Sequence, residues 1–306
     1  MARVIVTGGA GFIGSNLVDA LITDGYEVHV IDNLSNGKRE QVHSNANLHV
    51  VDVCDFDKLS SIFTSFDGAV DYVIHLAALP RVQFSIERPI ESHNVNVNGT
   101  LNVLLAARDT RVKKVVYAAS SSAYGDQDTL PLHEEMEARP KSPYGLQKYI
   151  GELECKIFSS VYNLPTVSLR FFNVYGPKFN PYGPYALVIG KFLEQHKKGE
   201  PLTITGDGEQ TRDFTNVKDV VRAIKLALES TRVGSGEVIN IGAGRNVSIN
   251  TLADLIGGPR EYVPARLEPK HTLADIRRAK ALLGWSPQVS IEEGIAELKS
   301  LFHINN

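Results

Sequence analysis

Over roughly its first 170 residues the chain alternates short β-branched runs with stretches whose apolar residues recur at helical spacing. Arg3-Val-Ile-Val-Thr7, Val28–Ile31, Leu48–Val51, Tyr72–Leu76, Val115–Ala118 and Thr166–Leu169 read as strands, and Ser15–Ile22 and Tyr144–Val161 as amphipathic helices. Such alternation marks a parallel sheet covered on both faces, which right-handed crossovers make doubly wound. Ligands of that architecture bind beyond the carboxyl ends of the strands. The informative residues fall there: Asp32 ends the second run, Asp52-Val53 follow the third, Leu76-Ala77-Ala78 the fourth, Ser120 the fifth and Phe171-Phe172-Asn173 the sixth.

After residue 172 the rhythm changes. Gly176–Tyr185 is rich in glycine, proline and aromatic residues, and 186–215 and 243–306 are less regularly α/β, whereas Val238–Ile241 reads as a strand returning to the sheet. The expected organisation is a sheet domain of residues 1–172, rejoined by 216–242, with a smaller lobe of 173–215 and 243–306 interleaved.

Between the first strand and the first helix stands Gly8-x-x-Gly11-x-x-Gly14. Missing side chains permit a tight turn there and let backbone N–H groups and the positive helix end approach a pyrophosphate. Asp32 lies about 20 residues further on, where a carboxylate accepts hydrogen bonds from ribose hydroxyls and repels a 2′-phosphate. Strand, turn, helix, second strand and terminal acid in register predict a Rossmann-type domain that binds NAD rather than NADP, although Lys38 and Arg39 follow in the same loop.

Composition narrows the class further. The 306 residues are 43% hydrophobic with a net charge of −3, enough for a sizeable core and too little positive charge to suggest a nucleic-acid partner. Lys113-Lys114 and Lys197-Lys198 read as solvated loop or helix-end charges. A core strand begins by residue 3 and no apolar run approaches the ~20 residues that span a bilayer, so a cytoplasmic enzyme without a membrane partner is expected. Cys54 and Cys155 have no metal-ligand spacing and read as buried or inert thiols, and no metal is expected.

Tyr144 and Lys148 stand four apart at the start of a predicted helix, on one face of it, with Ser142-Pro143 as its entry. A free phenol, pKa about 10, is a poor base at neutral pH, but a nearby ammonium and a nicotinium ring favour the phenolate. Tyr144 then becomes a general base. Ser120 can share a hydrogen bond between a substrate hydroxyl and the phenol, and Lys148 can hold the nicotinamide ribose. The Tyr-x-x-x-Lys spacing arises easily by chance; the glycine turn and the serines at the right sheet edge are what give it weight.

Together with Thr7-Gly-Gly-Ala-Gly-Phe-Ile-Gly14, Asp32-Asn33-Leu34, His75-Leu-Ala-Ala78, Asn96-Val-Asn-Gly-Thr100, Ser142-Pro-Tyr-Gly145, Arg170-Phe-Phe-Asn-Val-Tyr-Gly-Pro177, Gly206-Asp-Gly208, Arg212-Asp-Phe214 and Leu283-Gly-Trp-Ser-Pro287, these residues resemble the extended short-chain dehydrogenase/reductases. Within that group the chain resembles the UDP-glucose 4-epimerases nearly end to end. Several motifs belong to the whole extended class and fix fold and cofactor better than substrate.

The resemblance implies that Gly8, Gly11, Phe12 and Ile13 hold the pyrophosphate, with Asp32, Asn33, Ser35, Asn36 and Gly37 around the adenosine ribose and Asp52 and Val53 at adenine. Leu76, Ala77 and Ala78 would line the cofactor's middle and Phe172 would lie by the nicotinamide, with Tyr144 and Lys148 also on the cofactor. Ser120, Tyr144 and Lys148 would be catalytic. Ser120, Ser122, Tyr144 and Asn173 would meet the UDP-sugar, Leu187 and Val188 through backbone, Thr203 and Thr205 at the uridine edge. Arg212 and Arg266 would clamp the diphosphate, because a guanidinium fork matches phosphate oxygens and keeps its charge. Salt bridges to Asp207, Asp213 or Glu268 are the structural alternative for these arginines. Helices over 98–108 and 144–161 resemble those that pair in a homodimer.

Related dehydratases and decarboxylases normally carry an acid just after the catalytic Ser or Thr, where this chain has Ser121 and Ser122. Without it, return of hydride to the 4-keto sugar is the simplest outcome, giving UDP-glucose/UDP-galactose interconversion with tightly bound NAD. Arg266-Leu-Glu-Pro269 is one residue shorter than the family's usual segment, and Thr272 stands where some UDP-glucose-specific members carry a large Tyr, so UDP-N-acetylglucosamine is an alternative. UDP-glucuronate is a further one, for which Lys178 could meet a C6 carboxylate, although a solvated loop lysine is the blander reading. A simple nucleotide-sugar dehydrogenase would instead release NADH.

Overall fold

The structure is a computed structural model that describes residues 1–67, 69–180, 187–265 and 270–304. Its centre is a sheet of seven strands: β1 (Arg3–Thr7), β2 (Glu27–Ile31), β3 (Asn47–His49), β4 (Tyr72–His75), β5 (Lys114–Ser120), β6 (Thr166–Phe171) and β7 (Ser235–Ile241). They lie in the order β7-β6-β5-β4-β1-β2-β3, every pair parallel. The order reverses between β1 and β4, which opens a crevice at their carboxyl ends. β7 is the returning strand expected around Val238–Ile241. β5 and β6 run two residues past the expected ends, because Ser120 pairs with Phe171, which pairs in turn with Ile241 of β7. β3 sits at the sheet edge and stops at His49 rather than Val51.

Successive strand residues supply opposite faces. Val4, Val6, Val116 and Ala118 face one apolar cluster with α1 (Phe12–Thr23) and α8 (Val217–Glu229). Ile5, Val115, Tyr117 and Ala119 face another with α2 (Phe56–Thr64), α5 (Gly99–Asp109) and α6 (Pro143–Tyr162). Two short helices, α3 (Val82–Glu87) and α4 (Pro89–His93), precede α5; α7 (Val188–Lys197) follows α6. A third cluster joins Phe192, Leu202, Ile204, Phe214, Leu252 and Ile295 beyond the sheet. There Leu202–Thr205 pairs parallel with Arg260–Val263, and Thr211–Arg212 antiparallel with Val247–Ser248.

Lys114 corrects an expectation. It is 8% exposed rather than solvated, and its ammonium donates to the Ala227 and Leu228 carbonyls at the end of α8, at 3.1 and 3.2 Å. A cation there meets the negative end of the helix dipole and its unpaired carbonyls. Lys113 stays exposed and pairs with Asp71. Among the described residues no helix is long and apolar enough to cross a membrane, and no cluster of His, Cys, Asp and Glu could hold a metal ion.

Candidate active site

The glycine turn is packed too closely for side chains. Gly8 has φ +73°, and a Cβ there would come within 2.7 Å of the Ala77 nitrogen; a Cβ on Gly14 would overlap the Gly8 carbonyl. Gly11 caps α1 without a side-chain hydrogen bond, and no acid occupies the first helical turn. The first hydrogen bond within the helix is Ser15 N–H to Gly11 C=O at 2.9 Å, so the N–H groups of Phe12, Ile13 and Gly14 have no helical acceptor. An uncapped N-terminus under a side-chain-free turn fits a pyrophosphate.

Around it the strand ends are knitted together. The Asp32 carboxylate accepts the Ala10 N–H at 3.0 Å and the Leu34 N–H at 2.8 Å. Asn33 accepts the Ser35 N–H and donates to Asp52 at 2.8 Å; Gly37 packs on Ala10, leading the turn through Asn36 back to the glycines. Asp52 also accepts the Cys54 N–H, and Val53 is buried, its carbonyl held by Asn102. Cys54 itself is exposed, but burial of its sulfur and the nearby Asp52 charge push the thiol up to about 12, which leaves it inert.

His75 fastens Leu76, Ala77 and Ala78 to this turn. Thr100 donates to the Asn96 carbonyl at 2.8 Å, so it accepts Nε2–H of His75 at 3.0 Å. Nδ1 is then bare and accepts the Thr7 hydroxyl at 2.7 Å, and the Thr7 oxygen accepts the Ala77 N–H at 3.3 Å. Only a neutral His75 satisfies this chain, and burial holds its pKa down at about 3.

Across the crevice, Ser142 caps α6 by accepting the Gly145 N–H at 3.1 Å, as its sequence position predicts. The cap sets Tyr144 and Lys148 on the buried face, 9% and 3% exposed, next to Ser120 at 8%. Ser120 accepts the Ser122 N–H, and the turn it starts packs its Ser122 carbonyl on Gly145. The Lys148 ammonium donates to the Ala118 carbonyl at 2.8 Å, and burial lowers its pKa to about 8. Burial raises the Tyr144 phenol, against which the Ser120 hydroxyl and the charge of Arg81 both act. One turn on, Glu152 binds Arg170 through both carboxylate oxygens at 2.6 and 2.8 Å.

The remaining expected residues divide. Asn173 donates to the Asp213 carbonyl, bringing the end of β6 beside Arg212, whose guanidinium donates to the Thr211 and Lys270 carbonyls. Asp213 is buried and accepts N–H groups of Ala243, Gly244 and Ala274. Thr203 is held by Gln195 and Thr205 by Gln210, and Leu187 and Val188 open α7. Phe172 has no exposed surface; its ring packs in a cluster with Tyr124 and Leu132. Lys178 is partly exposed and paired within the chain: its ammonium binds Asp19 at 2.5 Å and faces carbonyls of Ser15 and Gln41, tying the loop to α1. Arg266, Glu268 and the 181–186 stretch lie outside the described residues. Sequence reasoning missed Arg81, Ser85 and Gln147, which lie near the start of α6, and gave Asn96 no role beyond its place in the Asn96–Thr100 motif.

The model of the NAD dependent epimerase/dehydratase family matches residues 4–242. The chain belongs to that family. The family's cofactor is NAD, in agreement with the glycine turn and Asp32. The epimerase-family chain is 38% identical over 311 residues to a putative UDP-glucose 4-epimerase of Methanocaldococcus jannaschii, covering 99% of both. It is similar to the crystal structure of Thermotoga maritima UDP-glucose 4-epimerase with UDP-glucose, at TM-score 0.93 and 39% identity over 98% of both chains. A UDP-N-acetylglucosamine 4-epimerase from Methanobrevibacter ruminantium, in complex with UDP-N-acetylmuramic acid, aligns at TM-score 0.90 and 38% identity, covering 98% of this chain and 99% of that one.

Proposed function

We propose that the protein is a UDP-hexose 4-epimerase that interconverts UDP-glucose and UDP-galactose through a 4-keto intermediate. The observation that carries this reading is the buried group of Ser120, Tyr144 and Lys148 at the sheet edge facing the glycine turn, followed by Ser121 and Ser122 rather than an acid. Bound NAD supplies the acceptor, and later the donor, of the C4 hydride. Tyr144 takes the O4 proton as the hydride leaves, and Ser120 holds O4 on the phenol. Lys148 donates to the nicotinamide ribose. The keto sugar then turns its other face to the cofactor, and Tyr144 returns the proton as hydride comes back with inverted configuration.

Throughout, Asn173, Arg212 and Arg266 hold the diphosphate and Thr203 and Thr205 the uridine edge, so remote binding energy keeps the ketone in place while the sugar moves. In this reading residues 1–172 and 216–242 serve the cofactor, and 173–215 and 243–306 the UDP-sugar. Thr272 supports UDP-N-acetylglucosamine as a second substrate, since a side chain of its size leaves room for an N-acetyl group. Leu153, Ile157 and Val161 form an apolar row on α6 that is 45–60% exposed, which supports a homodimer covering it; light scattering at working concentration checks the mass.

The test is incubation with UDP-glucose and, separately, UDP-N-acetylglucosamine, with no NAD added, following the anomeric protons by NMR. Appearance of the galacto sugar from UDP-glucose is expected, and the two rates rank the substrates. No conversion of either sugar, even with NAD supplied, would overturn the reading.

A further inference from the structure

Tyr144 is buried more deeply than suits a base, and burial disfavours its ionised form. The expected compensating cation, Lys148, is engaged elsewhere: its ammonium donates to the Ala118 carbonyl and rests over the Tyr117 ring, 4.8 Å from its centroid. Arg81 is the cation that acts on the phenol.

Arg81 immediately precedes α3 and is fixed by clamps on both sides to the first turn of α6. Upstream, the Asn96 amide accepts the Leu79 N–H at 2.8 Å and donates both to the Leu79 carbonyl and to the Gln147 side-chain oxygen. Downstream, Ser85 accepts the backbone N–H of Tyr144 itself at 3.0 Å, and the Ser85 N–H returns to the Arg81 carbonyl. Among the described residues the half-buried guanidinium makes no hydrogen bond or ion pair. A half-buried cation with no such partner is screened less than one at the open surface, so its field reaches its neighbours. The other titratable groups near the phenol are Tyr117 from β5 and Lys148 from α6, with Glu152 a further turn along that helix. Tyr117 stays protonated through burial, and Glu152 is spent on Arg170.

We propose that Arg81 is the electrostatic partner of Tyr144, the cation that stabilises negative charge on the phenol oxygen when its proton leaves. It acts through Tyr144 and is therefore a positioning residue. The inference rests on Tyr144 being the proton acceptor of the proposed reaction, but its first test needs no turnover. The tyrosinate absorbance of the purified protein is titrated against Y144F, and that of R81M against R81M/Y144F, so that each difference isolates one phenol.

The Tyr144 midpoint is expected to rise by about one pH unit in R81M and to return toward the original value in R81K, which keeps the charge. The acid limb of kcat should follow, with activity below it falling about tenfold per unit. An unchanged midpoint in R81M overturns the proposal whether or not any UDP-sugar is converted. So does a changed KM with an unmoved limb, which would make Arg81 a substrate ligand instead. Absence of turnover beside a shifted midpoint would overturn the epimerase reading and leave the Arg81–Tyr144 coupling standing.

Discussion

The two walls of the crevice are built on opposite principles. Where β1 meets β4, the polar groups that tie Ala77 beneath the glycine turn are neutral and matched donor to acceptor: Ala77 N–H to Thr7, Thr7 to His75, His75 to Thr100, Thr100 to Asn96. At the start of α6, charges are packed in low permittivity and some are left unmatched, with Lys148 on a carbonyl, Arg81 without a partner, and Arg170 Nη1 without an acceptor among the described residues. Satisfied neutral networks give rigidity, which a cofactor cradle needs. Unmatched buried charge costs stability but shifts pKa values, which proton transfer needs.

The difference is open to attack from either wall. The largest effect belongs to the charged one: Y144F should lower kcat about 10³-fold, some 4 kcal/mol, while leaving unfolding free energy and bound NAD nearly unchanged. Next, E152Q should cost about 3 kcal/mol in urea unfolding by stranding buried Arg170, whereas E27Q, which breaks a partly exposed pair with Arg3, should cost under about 1 kcal/mol. Equal losses for both would refute the contrast.

The neutral wall should show itself through pH. The folded pKa of His75, about 3, lies below an unfolded value near 6.5, so between them the unfolded chain binds a proton that the folded chain does not. Its contribution is complete above pH ~6.5 and is lost as pH falls through that window, at about 1.4 kcal/mol per unit. Stability measured against pH should therefore fall less steeply between 6 and 4 in H75Q. A smaller loss again is expected of S142A, which removes the α6 cap and should cost about 1 kcal/mol of stability by thermal unfolding.

The neutral wall was also the more readable. Its glycines and the acid at the end of β2 announce themselves locally, because turn geometry demands those residue types at those positions. Ser142, Tyr144 and Lys148 were readable for the same reason, as a cap and a four-residue helical spacing. Arg81 was not: it follows Leu79-Pro80 as an ordinary basic loop residue, and its importance comes from α3 packing on α6, which no local pattern encodes. Lys114 failed likewise, since the helix end that buries it lies more than a hundred residues along the chain. Phe172 shows a subtler limit. Next to Phe171 at a strand end, the two rings must face opposite ways, and the sequence did not say which one would turn toward Tyr124.

In the proposed epimerisation hydride leaves C4 and returns to the same carbon without escaping. UDP-glucose deuterated at C4 should therefore be converted, with no NAD added, into UDP-galactose that keeps its deuterium at C4 in ordinary water. Product that has exchanged deuterium for solvent hydrogen, or a free keto sugar with NADH in solution, would contradict it.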